Sequence, residues 1–253
     1  MTSNNQDKVI LITGTSQGIG EGIAKHYLKQ GWTVVAAIRS PEKGPNLEGN
    51  VITVKADQSS LTDFHNVIEE LKTKHNITHF DIVVANSGTA GSGALLTKAS
   101  PTEFDYVYQV NTRGPLVLYQ ATRPLLKDNG TFVVISSLAG SLQRTFFWEH
   151  IGLYGASKAA VNYLTRTIHY EEPTLKAFTI HPGVVNTKMA RESWDDVGKP
   201  PIEPETVDDV IRKCLFISSF SAQCLRKRFH EAGIVKLIDT STKEETSGWM
   251  WNK

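Results

Sequence analysis

The stretch Val9-Ile10-Leu11-Ile12-Thr13-Gly14-Thr15-Ser16-Gln17-Gly18-Ile19-Gly20 decides how the chain is read. Four branched apolar residues in a row, without alternation, describe a strand buried on both faces, the habit of strands inside a parallel sheet. Glycines at 14, 18 and 20 follow, and a helical pattern opens behind them. Glycine permits a tight turn and lets backbone N–H groups approach an anion at the positive end of a helix. The same spacing in an ordinary loop would be a bare turn, so the strand–turn–helix setting gives the glycines their meaning. Gly14, Ser16, Gln17, Gly18, Ile19 and Gly20 are expected to cradle a pyrophosphate.

Outward from this segment, short apolar runs alternate with longer amphipathic ones. Strands are expected at Val9–Thr13, Thr33–Ile38, Val51–Ala56, Phe80–Asn86, Gly130–Ser136 and Ala177–Ile180, with helices near 18–30, 61–75, 101–127 and 154–170. That order specifies an α/β fold in one domain, a doubly wound parallel (Rossmann) sheet with ligands beyond the carboxyl ends of its strands. Asn186 to Glu205, rich in Pro, Glu and Asp and lacking periodicity, is expected to be a substrate lid. From Phe220 onward the pattern weakens.

Composition narrows the function. The 253 residues carry 27 basic and 26 acidic side chains, a balance that points to neither nucleic acid nor an anionic membrane. Cys214 and Cys224 are the only cysteines, too few for a disulfide framework and read as reduced thiols. The first eight residues carry no apolar stretch of signal-peptide length, and no uncharged apolar run approaches the roughly 20 residues a bilayer span needs. The expected location is cytoplasmic. The eight histidines form no zinc-like cluster, so no metal is expected. His181, before Pro182, reads as a residue that positions a loop backbone.

Arg39-Ser40 ends the second strand, nineteen residues after Gly20. An acid in this region takes the ribose hydroxyls of NAD, whereas an arginine can pair with the 2′-phosphate of NADP. With the acid missing, NADP(H) is expected over NAD, the competing reading being a solvated surface arginine.

Tyr154-Gly155-Ala156-Ser157-Lys158 sets a phenol and an ammonium one helical turn apart on one face. A nearby cation favours the phenolate, which would bring an ordinary tyrosine pKa near 10 toward the working range. Tyr154 would then act as the acid or base on a carbonyl or alcohol. By itself this spacing describes a surface pair, and its company decides otherwise. Ser136-Ser137 ends the fifth strand and brings hydroxyls toward the same edge. Asn111 lies inside a helical stretch, where asparagine has modest propensity, and reads equally as functional or solvent-facing.

Gly-x-x-x-Gly-x-Gly, an Asn-x-Gly segment at Asn86, Ser137, Tyr-x-x-x-Lys and Pro182-Gly183 occur in the order that characterises short-chain dehydrogenases/reductases. The chain resembles that family from about residue 8 to residue 217, and the gap between Gly14 and Gly18 is similar to that of its shorter, single-domain subclass. The resemblance implies an NADP(H)-dependent oxidoreductase that interconverts a ketone or aldehyde with its alcohol, assembled as a homodimer or homotetramer. It makes Tyr154 the acid/base, Lys158 its electrostatic partner and ribose ligand, and Ser137 the holder of the substrate oxygen. Asn111 would support a water-linked proton relay through Lys158. Asp57 would contact adenine, Asn86 would lie beside the cofactor, and Pro182, Gly183, Val185 and Thr187 would border it, Thr187 at the carboxamide. Gly155, Ala156, Ala159 and Ala160 would permit close helix packing between subunits or within one.

Departures from the pattern are local. Ala85 and Ser87 replace an asparagine and an alanine of the family segment. Gln17 stands where NADP-preferring relatives often carry a basic residue. The seventeen positions from Ser137 to Tyr154 exceed the family's usual gap, and the added loop holds Phe146-Phe147-Trp148-Glu149-His150. Those aromatics are expected either in a subunit contact or, with Met189 and Trp194, around an entrance for bulky apolar substrates. Beyond residue 220 the usual closing segment is missing, although Ser247-Gly248 would suit a last strand. Two other classes fit the same fold: a catalytically silent NADP sensor or scaffold, and an enzyme acting only as an assembly partner. Ser137, Tyr154 and Lys158 argue against a sensor, which needs the cradle but no acid/base.

Overall fold

A computed structural model describes residues 7–142, 150–197 and 204–212. The loop aromatics Phe146–Glu149, both cysteines, Ser247-Gly248 and the side chain of Trp194 lie outside the described residues.

Six parallel strands, β1 (Val9–Thr13), β2 (Thr33–Ile38), β3 (Val51–Lys55), β4 (Phe80–Ala85), β5 (Leu126–Ile135) and β6 (Lys176–Ile180), pair in the order β3-β2-β1-β4-β5-β6. Every residue of β1 and β2 is buried, as their unbroken apolar runs require. The two-residue period sorts the side chains into two cores. Leu11, Val35, Val83, Phe132 and Val134 face α2 (Asp63–His75), α4 (Gly114–Thr122) and α5 (Gly152–Glu171). Ile10, Ile12, Val34, Val84, Val133 and Phe178 face α1 (Gly18–Lys29) and α7 (Val207–Arg212). The sheet reverses its order between β1 and β4, so the crevice beyond their carboxyl ends is the natural ligand site.

Two expected elements differ. The helix foreseen over 101–127 breaks into α3 (Pro101–Tyr108), a π turn at Gln109–Arg113, α4 and a short 3-10 turn at Arg123–Leu125. Pro124 cannot continue the helix, and the chain enters β5 at Leu126, ahead of the foreseen Gly130. The β4–β5 register then shifts between Phe80 and Ile82, with Asn129 taking a left-handed φ of 63°. Inside the foreseen lid, Lys188–Val197 forms a helix, α6, where aperiodicity had suggested an irregular segment. Thr187 opens that helix, its hydroxyl accepting the Ala190 N–H at 3.2 Å. Among the described residues no helix is long and apolar enough to cross a membrane.

The turn from β1 into α1 is tied to the end of β4. Gly14 and Gly18 have φ of 71° and 65°, a region that L side chains rarely adopt. The Asn86 amide nitrogen donates to the carbonyls of Thr13 at 2.9 Å and Gly14 at 3.2 Å, and the Thr13 hydroxyl accepts the N–H groups of Asn86 and Ser87. Gly20 has no room for a side chain: a Cβ would sit 2.9 Å from the Gly14 carbonyl carbon and nearer still to its oxygen. Gly20→Ala must therefore push α1 away from the turn. It should lower stability in urea denaturation by about 1–3 kcal/mol, the usual cost of overpacking. A loss below about 0.5 kcal/mol, the range of harmless substitutions, would show that the turn yields freely.

Candidate active site

Beyond the carboxyl ends of β1 and β4 lies a cleft of about 480 Å³. Gly14, Ser16, Gln17, Gly18 and Ile19 line one part, Arg39 and Asp57 a second, and Asn86, Tyr154, Lys158, Pro182 and Thr187 a third. Gln17 precedes α1 without a side-chain cap bond, so the first N–H groups of the helix form an anion-binding terminus. Arg39 is exposed at the cleft wall, while Ser40 does not line it. The Asp57 carboxylate accepts the Ser59 N–H at 2.8 Å and its hydroxyl at 2.7 Å, which holds the turn after β3. Gly20 and Asn111 line neither the cleft nor the cavity beside it; both act through packing and hydrogen bonds.

That cavity, about 180 Å³, adjoins the cleft and shares Ile19, Ser136, Tyr154, Pro182, Thr187 and Met189 with it. Ser137, Gly183 and Val185 line the cavity rather than the cleft. Its other walls are largely apolar, including Ala90, Ile151, Val184 and Ala190. The segment Pro182 to Val185 is set by Gly183 at φ 85° and by a parallel bridge from Val185 to Glu205.

Three polar side chains meet where cleft and cavity join. Ser137 lies beside the Tyr154 hydroxyl, where its side chain acts to lower the phenol pKa, and its own oxygen accepts the Ala139 N–H at 3.2 Å. Ser136 turns the other way and donates to the Asn162 Oδ1 at 2.6 Å, so only the second serine of the pair reaches the phenol. Lys158 is buried, and its ammonium donates to the Ile135 carbonyl at 2.8 Å.

The electrostatics differ from the sequence expectation in one respect. Lys158 was expected to pull the phenol pKa down. Its Nζ lies over the Tyr154 ring, 5.6 Å from the centroid. Burial dominates and raises the Tyr154 pKa, with the Ser137 hydrogen bond acting in the opposite sense. Burial also draws the Lys158 pKa down to about 8. At neutral pH the phenol is protonated and poised to donate.

Asn111 occupies the π turn, fully buried. Its Oδ1 accepts the Thr89 N–H at 2.9 Å, and its Nδ2 donates to the Thr89 carbonyl at 2.8 Å and the Ser157 hydroxyl at 3.0 Å. The solvent-facing reading is thus excluded, and the side chain is an internal brace. A Cβ on Gly88 would meet both Asn111 Oδ1 and Lys158 Nζ within 4 Å, which places the asparagine beside the lysine.

Several contributors escaped the sequence reading. Ser157 accepts from Asn111 and donates to the Tyr154 carbonyl at 2.7 Å. Its position three residues after Tyr154 was a usable signal, since that spacing shares a helix face. Glu103 holds the loop after β4 through the N–H and hydroxyl of Ser92, and His150 contacts the Gly93 carbonyl at 2.8 Å. No local pattern marks that pairing of distant segments. Gly155 packs against the Ala139 carbonyl, so it serves the subunit's own core. Among the described residues no group of three or more His, Cys, Asp or Glu is placed to hold a metal ion.

Comparison with known proteins agrees with this geometry. The short chain dehydrogenase family model matches residues 8–198. Norsolorinic acid ketoreductase of Aspergillus parasiticus is 33% identical over 257 residues, covering 96% of this chain and 87% of the relative. The crystal structure of the KRED1-Pglu enzyme is similar with a TM-score of 0.69 and 31% identity, over 77% of this chain and 82% of that one. The NADPH-bound carbonyl reductase from chicken fatty liver gives a TM-score of 0.67 at 25% identity, over 80% and 87% of the two chains. A parallel six-stranded sheet, a glycine turn at its switch point and a Ser–Tyr–Lys cluster at the cleft thus accompany a family match over most of the chain: it belongs to the short-chain dehydrogenases/reductases, a family of oxidoreductases.

Proposed function

We propose that the protein uses NADPH to reduce an apolar ketone to the corresponding alcohol, with Tyr154 as the proton donor. The observation that carries this reading is the placement of Ser137 and Tyr154 together at the junction of a polar cleft and an apolar cavity. The cleft suits a dinucleotide in its donor set: an open helix N-terminus for the pyrophosphate, Asp57 at the adenosine end and Thr187 at the nicotinamide end. When bound there, the cofactor supplies the hydride. Ser137 holds the ketone oxygen, and Tyr154 gives that oxygen its phenolic proton. A phenol kept protonated by burial favours the reductive direction near neutral pH. The Lys158 ammonium, over the ring, offsets the negative charge that the phenol acquires on giving up its proton. Asn111 keeps Thr89 and Ser157 in register and would support proton return beside Lys158.

Arg39 favours NADP over NAD because it brings a cation, and no carboxylate, to the end of β2. The chicken relative, crystallised with NADPH, supports the same choice. The apolar cavity walls, with Met189 shared between cavity and cleft, favour an apolar carbonyl compound over a small polar one. The Aspergillus relative, by name a ketoreductase, supports the reaction class.

Replacing Tyr154 by Phe removes the proton donor and leaves the ring. Steady-state assays at 340 nm should show kcat for ketone reduction lowered at least about 100-fold, with NADPH affinity nearly unchanged. A variant keeping more than about a tenth of the activity would remove Tyr154 from the acid role.

The cofactor assignment is tested at Arg39. A charge-assisted phosphate contact is worth roughly 1.5–3 kcal/mol, so Arg39→Asp should shift the NADPH-to-NADH ratio of kcat/KM by more than about tenfold toward NADH. An unchanged ratio would leave Arg39 an ordinary surface cation.

A further inference from the structure

The end of β6 grips Ser137 from both sides. The Ser136 N–H donates to the Ile180 carbonyl at 2.6 Å, continuing the β5–β6 ladder. Beyond Ile180 the chain turns through Pro182 and Gly183, the latter at φ 85°. The next acceptor is a side chain: Nδ1 of His181 takes the Leu138 N–H at 3.1 Å. The two amides flanking Ser137 therefore go to consecutive residues, Ile180 and His181. Leu138 also begins the short 3-10 turn Leu138–Gly140, whose Ala139 N–H donates to the Ser137 hydroxyl oxygen. Holding Leu138 thus orients the serine through its backbone and through its side chain.

The imidazole suits this task. A backbone N–H only donates, so Nδ1 must be the unprotonated nitrogen, and the neutral ring carries its proton on Nε2. Protonating Nδ1 would destroy the acceptor. Burial draws the His181 pKa down to about 4, so the accepting form persists through neutral pH.

We propose that His181 is a positioning residue for Ser137, its Nδ1 extending the β5–β6 ladder by one bond and so fixing the serine hydroxyl against Tyr154. The inference rests on the reading of Ser137 and Tyr154 as the reactive pair. A displacement of about 1 Å in such a group costs up to about 100-fold in rate, so one well-placed backbone bond has leverage on turnover.

Three variants separate the acceptor from bulk. His181→Phe and His181→Leu fill the space without an acceptor, whereas His181→Asn places an oxygen near the position of Nδ1. Hydrogen–deuterium exchange of the peptide spanning Ser136 to Ser141 reads the clamp without any turnover. Exchange of the Leu138 amide should quicken roughly tenfold in the Phe and Leu variants and stay close to wild type in the Asn variant. Turnover should follow the same order. In the Phe and Leu variants kcat should fall by about 10- to 100-fold while the NADPH dissociation constant stays within about twofold, and Asn should restore most of the rate. The pH profile of alcohol oxidation gives a readout that general loosening would not move. Loss of the Ser137 hydrogen bond, which lowers the phenol pKa, should shift the rising limb to higher pH, with Lys158 unaltered in every variant. Wild-type exchange in both Phe and Leu variants, or an Asn variant as impaired as Phe, would overturn the role of His181. A wild-type protein that oxidises no NADPH with any ketone would instead overturn the proposed reaction, and exchange would still decide the clamp.

Discussion

The buried carboxamide of Asn111 is the constraint on which the site depends. It joins three segments that are remote in sequence: the loop after β4 through both backbone groups of Thr89, the π turn that carries it, and α5 through Ser157. Ser157 passes the connection to the Tyr154 carbonyl, and the neighbouring Thr112 hydroxyl donates to the Ser157 carbonyl at 2.9 Å. Buried amides left without partners cost about 1–3 kcal/mol each, so this network tolerates little slack. A π turn is a rare element that tends to occur at functional positions. Here it places a polar side chain at the crossing of loop, turn and helix, where a regular helix over 101–127 would have continued past. The first turn of α5, and hence the phenol, inherits its place from that side chain.

With the phenol so placed, burial decides the chemistry of the cluster. The same exclusion of water that raises the Tyr154 pKa lowers that of Lys158. Each group is pushed toward its neutral form, so the phenol holds its proton at neutral pH while the ammonium, at about 8, comes within reach of losing one. Ser137 opposes the trend at the phenol by a single hydrogen bond, which makes its placement an electrostatic matter as well as a geometric one. A surface Tyr–Lys pair at the same spacing would escape this desolvation.

What the sequence made legible follows from how local each signal is. The strands were readable because both faces are buried, which leaves unbroken apolar runs such as Val9–Ile12 and Thr33–Ile38. The glycine turn was readable because Gly14 and Gly18 need positive φ and Gly20 lies against a backbone carbonyl. The choice of Ser137 over Ser136 came from resemblance alone, since adjacent residues in a strand point to opposite faces and the pattern cannot say which face holds the phenol. The π turn was illegible because one extra residue shifts the helical phase by only about 100°, which the few apolar positions on either side do not register. α6 was missed for a related reason. Its sequence is mostly polar, and the short apolar series Ala190, Trp194 and Val197 is flanked by aperiodic chain on both sides, so it did not stand out from its surroundings. The sign of the Tyr154 shift was also beyond the sequence, because spacing brings the ammonium near the ring without telling how deeply either group is buried.

The wall of the cavity carries the argument one step further. The loop after β4 is pinned at three successive points: Thr89 by Asn111, Ser92 by Glu103 from α3, and Gly93 by His150 ahead of α5. Gly91 and Gly93, at φ 76° and 69°, let the chain turn back between these anchors, and a Cβ on Gly91 would press on the Glu103 carboxylate at 2.9 Å. Ala90, Gly91 and Gly93 thus line the cavity as a firm wall of small residues. On the opposite side Met189 and Ser193 stand on α6, a ten-residue helix anchored by the Thr187 cap and by the Asn186 N–H to the Glu205 carbonyl. The side near Ser137 and Tyr154 is held by buried polar networks, whereas on α6 the side chains of Lys188, Met189, Arg191 and Glu192 are exposed.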